Sequence, residues 1–130
     1  MDDSGTTEAL IGAARAAMEN AYAPYSGFKV GAAVLGESGR IFDGCNVENA
    51  SYGLTVCAER NAIAKMVAAG DRSVKAAAIS ASSGEAAYPC GACRQVIAEF
   101  AAPDVRIYLA TNEETVVCIL SDLIPHAFKL

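Results

Sequence analysis

Hydrophobic positions first fall into a pattern between Thr6 and Ala21, where Leu10, Ile11, Ala14 and Met18 recur among alanines at the spacing of one helix face. This predicts a first helix, stopped by the turn residues Pro24 to Gly27 (PYSG). The period then shortens. Lys29 to Leu35 (KVGAAVL) reads as a strand, Gly36 to Gly39 (GESG) as a hairpin turn, and Arg40 to Cys45 as the returning strand. Helical spacing resumes from Cys57 to Ala69, with Gly70 in the position that ends a helix. Val74 to Ala81 (VKAAAISA) is a continuous apolar run, the mark of a central strand buried on both faces. A third helix is predicted from about Gly91 to Ala101, strands at Val105 to Ala110 and Thr115 to Ile119, and a final helical turn at Leu120 to Ile124.

Helices alternating with strands in this order predict an α/β fold, a three-layer α/β/α sandwich around a mixed sheet of about five strands. A chain of 130 residues makes one domain, residues 1–130, with residues 1–7 expected to be mobile. Ligands of such sheets gather at the carboxyl ends of strands and at helix N-termini.

Composition narrows the function. The hydrophobic fraction of 53% is inflated by alanine, yet it leaves room for a buried subunit interface. Ten Lys and Arg against fifteen Asp and Glu give a net charge of −5, so the chain lacks the footprint of a phosphate-backbone binder and no nucleic-acid partner is expected. No apolar run approaches the ~20 residues of a membrane span, and the acidic opening MDDSGTTEAL is unlike a signal peptide. A cytoplasmic protein without a membrane partner is the expectation.

Five cysteines in such a chain argue against a disulfide framework and for metal binding or catalysis. Cys90 and Cys93 form Cys-x-x-Cys, and Cys57 lies 33 positions before Cys90; Cys45 and Cys118 sit alone on strand-like runs and read as core. Three thiols from two helix starts would supply the protein ligands of an open tetrahedral zinc site, with water in the fourth position. A closed structural site would need His126, Cys45 or Cys118 as a fourth ligand. Helix N-termini favour thiolate over thiol, but three thiolates outweigh Zn²⁺ by one charge, so a nearby cation is needed. Arg60, on the same helical face as Cys57, is the better aimed candidate; Arg94 is the second. Glu59, in the same first turn, can reach a metal-bound water as a proton shuttle.

Cys57-Ala-Glu59 followed by Pro89-Cys90-Gly-Ala-Cys93 matches the zinc deaminase signature. The longer stretches PYSGFKVGAAV, GCNVENASYGLTVCAERNAI and PCGACRQV, from about Tyr22 to Phe128, resemble the small cytidine deaminases of pyrimidine salvage, of the three-cysteine, homotetrameric kind. The resemblance implies one zinc per subunit on Cys57, Cys90 and Cys93, and a water that attacks C4 of cytidine or 2′-deoxycytidine with release of ammonia. It makes Glu59 the catalytic proton carrier and Arg60 the residue that tempers thiolate charge. It further implies that Asn46 and Glu48 hydrogen-bond the ribose 3′-hydroxyl, that the Ala58 backbone faces the base, and that Phe28 stacks on the pyrimidine. Phe128 would reach the base from a neighbouring subunit, with Tyr25 and Tyr52 as lesser contacts. A carboxylate beside the sugar repels phosphate, which favours nucleosides over nucleotides. Three rivals stand beside this reading: a blasticidin-type deaminase with the same zinc motif, a deaminase acting on bases in nucleic acid, and a noncatalytic zinc-stabilised binding module. The last would leave Glu59 without a task. The acidic N-terminus through Thr7 has no counterpart in the family pattern.

Overall fold

The computed structural model describes residues 4–130. The elements run α1 (Ser4–Met18), β1 (Val30–Gly36), β2 (Ile41–Cys45), a 3₁₀ turn (Tyr52–Leu54), α2 (Ala58–Ala68), β3 (Val74–Ala81), α3 (Gly91–Phe100), β4 (Ala101–Ala110), β5 (Thr115–Ile119) and α4 (Leu120–Leu123). One five-stranded sheet has the order β2-β1-β3-β4-β5. Its β3–β4 pair is parallel and the other neighbours are antiparallel, so the expected mixed sheet is present.

Alternation along the central strands sorts the helices. Ala33, Leu35, Ala76, Ala78 and Tyr108 point to one face and pack with Leu10 and Ala14 of α1. Ala32, Val34, Ala77, Ile79, Ile107 and Leu109 point to the other and pack with Ala58, Ala62, Ile63 and Met66 of α2 and Ile97 and Ala98 of α3. The second face carries the larger core, and every feature of the candidate site lies on that side.

Two glycines set how closely the helices dock. A methyl at Gly31 would run into the backbone of Ala14 and Met18 in α1, and one at Gly44 would lie 2.5 Å from the Ala62 nitrogen and 2.8 Å from the Ala58 oxygen in α2. These glycines sit on neighbouring strands and face opposite sides, since Gly31 pairs with Cys45 and Gly44 with Ala32. The hairpin is thus clasped by a helix on each face, closer than any side chain would allow.

Element boundaries differ from expectation where tertiary contacts intervene. Helix α1 ends at Met18, short of Ala21, because Glu19, Asn20 and Ala21 turn back with three-residue bonds and Tyr22 then donates to the Asn46 oxygen. Ser4 to Thr7 form the first turn of α1, and residues 1–3 of the expected mobile lead lie outside the described residues. Strand β4 starts at Ala101 rather than Val105, but its early part is a bulge against β3 that accommodates Pro103, and regular pairing begins at Arg106.

Candidate active site

Both cysteine groups stand at helix starts, one position outside the helices themselves. Cys57 and Cys90 are the N-caps of α2 and α3, each with extended backbone, and neither thiol caps its own helix. Their carbonyls accept the first helical bonds, from Asn61 at 3.2 Å and Arg94 at 2.9 Å, which leaves the sulfurs free. Cys93 follows in the first turn of α3 and is fully buried. The Cys57 and Cys90 sulfurs lie 3.9 Å apart, and all three sulfurs are within 4.8 Å of one another. Zinc–sulfur bonds of about 2.3 Å in tetrahedral geometry place sulfurs about 3.8 Å apart, so this donor set fits one zinc ion. Among the described residues no other set of His, Cys, Asp or Glu gathers this way, and His126, Cys45 and Cys118 stay outside the trio. The closed-site alternative therefore has no fourth protein ligand.

Docking of α2 fixes where Cys57 and the next residues sit. Beyond the contact at Gly44, the Asn61 side chain donates to the Cys45 oxygen at 2.8 Å and ties the first turn of α2 to the end of β2. This leaves Ala58 wholly buried and Glu59 buried beside the sulfurs. Burial pushes the Glu59 carboxyl up, against its own backbone N–H and the Arg60 charge. Burial also pushes the Cys93 thiol up, and the negative charge of Glu59 adds to it. Cys90 is pushed up by burial too, yet hydrogen bonds from Cys93 and Cys57 more than offset this and hold it below its ordinary value. Three thiols and a carboxyl thus share one spot, an arrangement that suits a divalent cation.

Arg60 faces this cluster as expected. One of its terminal nitrogens donates to Cys57 Sγ at 3.6 Å and to the Thr55 oxygen at 3.5 Å. The Cys57 sulfur makes the Arg60 guanidinium hold its proton more firmly than usual in spite of burial, with Cys93 adding to the effect on Arg60. Its Nε is buried without a hydrogen-bond partner. Arg94 is a correction. It points away from the sulfurs, donating through Nε to the Pro89 oxygen at 2.7 Å and through a terminal nitrogen to the Leu123 oxygen at 3.0 Å.

A groove of about 350 Å³ lined by Tyr25, Ser26, Glu48, Asn49, Tyr52 and Thr55 brings together Glu48 of the expected ribose pair with the lesser candidates Tyr25 and Tyr52, while Asn46, Phe28, Ala58 and Phe128 lie outside its lining. Glu48 is braced there. One oxygen accepts from the Tyr25 and Ser26 backbone at 2.9 and 3.1 Å, and the other from the Ser26 hydroxyl. The Ser26 hydroxyl bond and these N–H groups hold the exposed carboxylate below its ordinary range, burial opposing. Asn46 is buried and uses both ends of its amide, accepting from Val30 N–H at 2.9 Å and donating to the Phe28 oxygen at 2.9 Å. It therefore fixes the backbone that carries Phe28. Phe28 is half exposed, while Tyr52 and Phe128 are 81% and 69% exposed. Phe128 contacts the rest of the chain through its carbonyl, which accepts from the Gln95 side chain at 3.0 Å. Sequence reasoning missed Ser26, Gly44, Asn61 and Gln95, because their roles are hydrogen bonds or clearances that no spacing announces.

Residues 4–109 match the family model described as the cytidine and deoxycytidylate deaminase zinc-binding region. A cytidine deaminase of Sporosarcina psychrophila is 51% identical over 127 residues, covering 94% of this chain and 90% of that protein. One from Mycobacterium tuberculosis is 42% identical over 121 residues, with 93% and 88% covered. The crystal structure of the cytidine deaminase from Burkholderia pseudomallei superposes with a TM-score of 0.87 at 49% identity, covering 93% of this chain and 98% of the other.

Proposed function

The chain belongs to the cytidine deaminase family, and we propose that it hydrolyses cytidine and 2′-deoxycytidine to the uridine nucleosides with release of ammonia, in the salvage of pyrimidines. Its zinc-binding region and the Cys57, Cys90 and Cys93 sulfurs make zinc its cofactor. When bound, zinc supplies the Lewis acid that makes water nucleophilic near neutral pH.

The remaining work falls to the chain's own residues. Glu59 takes a proton from the attacking water and delivers it to N3 of the ring, then takes the remaining hydroxyl proton from the oxygen now on C4 and gives it to the amine, which departs as the C4–N bond breaks. Its raised proton affinity suits a group that must both accept and donate near neutral pH. Arg60 balances the excess thiolate charge. Glu48 and the second hydrogen-bonding positions of the Asn46 amide receive the ribose 3′-hydroxyl, the Ala58 backbone meets the base, and Phe28 stacks on it. Tyr52 flanks the groove.

We place the working form as a cytoplasmic homotetramer in which Phe128 enters a neighbouring subunit's site. The exposed Tyr22, Tyr25, Tyr52, Leu54, Tyr88 and Phe128 support this, since so much bare aromatic and aliphatic surface marks an interface. What carries the whole reading is the convergence of three sulfurs from two helix starts beside a buried glutamate. The test follows ammonia release from cytidine, deoxycytidine, cytosine and cytidine monophosphate, with zinc determined on the same sample. Turnover of the two nucleosides alone, about one zinc per chain, and a loss of at least about a hundredfold in Glu59→Gln are expected. Full activity in Glu59→Gln refutes the mechanism, and comparable turnover of cytidine monophosphate refutes the role of Glu48.

A further inference from the structure

Three consecutive residues of α3 point to three different places: Cys93 to the sulfur cluster, Arg94 to two main-chain carbonyls, and Gln95 to the C-terminal segment. We propose that Arg94 and Gln95 are positioning residues that hold the C-terminal segment, and with it Phe128, in register with the zinc-ligand loop at Pro89 and Cys90. This rests on the proposed deaminase reading, in which that loop and Phe128 both serve the substrate.

The partners of Arg94 make the case. A charged side chain drawn against two neutral carbonyls, which pairs with no carboxylate among the described residues, is not there for an ion pair. One carbonyl belongs to Pro89, which is fully buried and directly precedes Cys90. The other belongs to Leu123, the last residue of α4 and one of the carbonyls a helix end leaves without a partner. A planar guanidinium bridging both in one fork fixes their separation, which a flexible ammonium would not do. Past Ile124, the Gln95 bond to the Phe128 oxygen is the one hydrogen bond among the described residues that reaches the C-terminal segment. Since Arg94 and Gln95 neighbour Cys93 on one helical turn, a shift of the metal loop is carried to Phe128, and the reverse.

The test uses zinc-loaded protein and the variants Arg94→Met, Arg94→Lys and Gln95→Glu, the last keeping shape but losing the donor. Amide hydrogen exchange of the peptide spanning 120–130 should speed up in Arg94→Met and Gln95→Glu. Gln95→Glu should raise KM for cytidine about threefold to tenfold with kcat and zinc release unchanged. Arg94→Met should also lose zinc to a chelator about tenfold faster, with Arg94→Lys in between. A variant that merely melts at a lower temperature, with exchange, KM and zinc release as in the wild type, overturns the proposal. Should Arg94→Met fail to fold, Arg94→Lys and Gln95→Glu decide alone. Wild-type protein that neither holds zinc nor turns over cytidine defeats the functional reading instead, while exchange at 120–130 reads the tether without substrate.

Discussion

Replacing Gly44 by alanine perturbs the site by pressing on the backbone of α2, without altering any side chain assigned to substrate or metal. The added methyl would sit 2.5 Å from the Ala62 nitrogen, 2.8 Å from the Ala58 oxygen and 2.9 Å from the Asn61 carbonyl carbon, all backbone of α2. Ordinary contact needs about 3.5 Å, so the helix must retreat by about 1 Å, because no flexible side chain can give way instead. Overpacking of this kind costs about 1–3 kcal/mol, which for a domain of this size lowers Tm by roughly 4–15 °C. The retreat carries Cys57 and Glu59 away from Cys90 and Cys93, which α3 holds. A misplacement of about 1 Å can cost about a hundredfold in rate, so kcat/KM should fall much further than the stability loss alone would explain. Calorimetry, zinc content and kcat/KM, all measured well below the variant's Tm, separate the two effects. Unchanged Tm refutes the close contact at Gly44; a lower Tm with unchanged kcat/KM refutes the idea that this contact sets the site.

Other expectations are simpler. Arg60→Ala should lower kcat about tenfold to a hundredfold and speed zinc loss to a chelator, and unaltered kinetics and metal content would remove Arg60 from its role. Asn46→Ala strands the Val30 N–H and Phe28 carbonyl, at a cost of about 1–3 kcal/mol in thermal or urea unfolding, together with a raised KM. Asp71, buried under the hairpin turn, accepts from the Ser38 hydroxyl at 2.5 Å and its N–H at 3.2 Å; the Ser38 hydroxyl bond, against burial, holds its carboxyl below the usual range. A lowered folded pKa stabilises above the unfolded value of about 3.9 and is lost as pH falls through the folded one. Asp71→Asn should therefore melt below the wild type at pH 7, with the gap closing below about pH 4 in thermal scans; a gap constant with pH would contradict this.

Periodicity carried the fold well where the sheet itself supplies the reason. Val74 to Ala81 reads as a buried central strand and is β3 with those bounds, since both its faces meet helices. Boundaries governed by distant contacts were not legible: the end of α1 is decided by the main chain of Asn46, and the start of β4 by a bulge around Pro103. The zinc ligands were legible because metal chemistry demands fixed residue types at fixed spacing, and Cys57, Cys90 and Cys93 do converge. Arg60 could be placed from helix geometry alone, three residues after Cys57 on the same face. Arg94 could not, because its direction depends on where Leu123 lies, 29 residues away. Asn46 and Glu48 were found as polar groups of the right type, but their ties to Phe28, Val30 and the turn at Tyr25 and Ser26 belong to the folded chain alone.

The gathering of sulfurs from α2 and α3 also gives the metal a second part, as a seam across the chain. Cys57 and Cys90 lie in segments that a flexible polymer would have to bring together around a loop of 33 residues, an entropic cost that unfolded protein has no means to recover. Zinc that prefers the native arrangement shifts the balance by mass action, about 2.7 kcal/mol when free metal stands a hundredfold above its dissociation constant. Cells short of zinc would thus hold less of this protein folded as well as less of it active, and its abundance would follow metal supply.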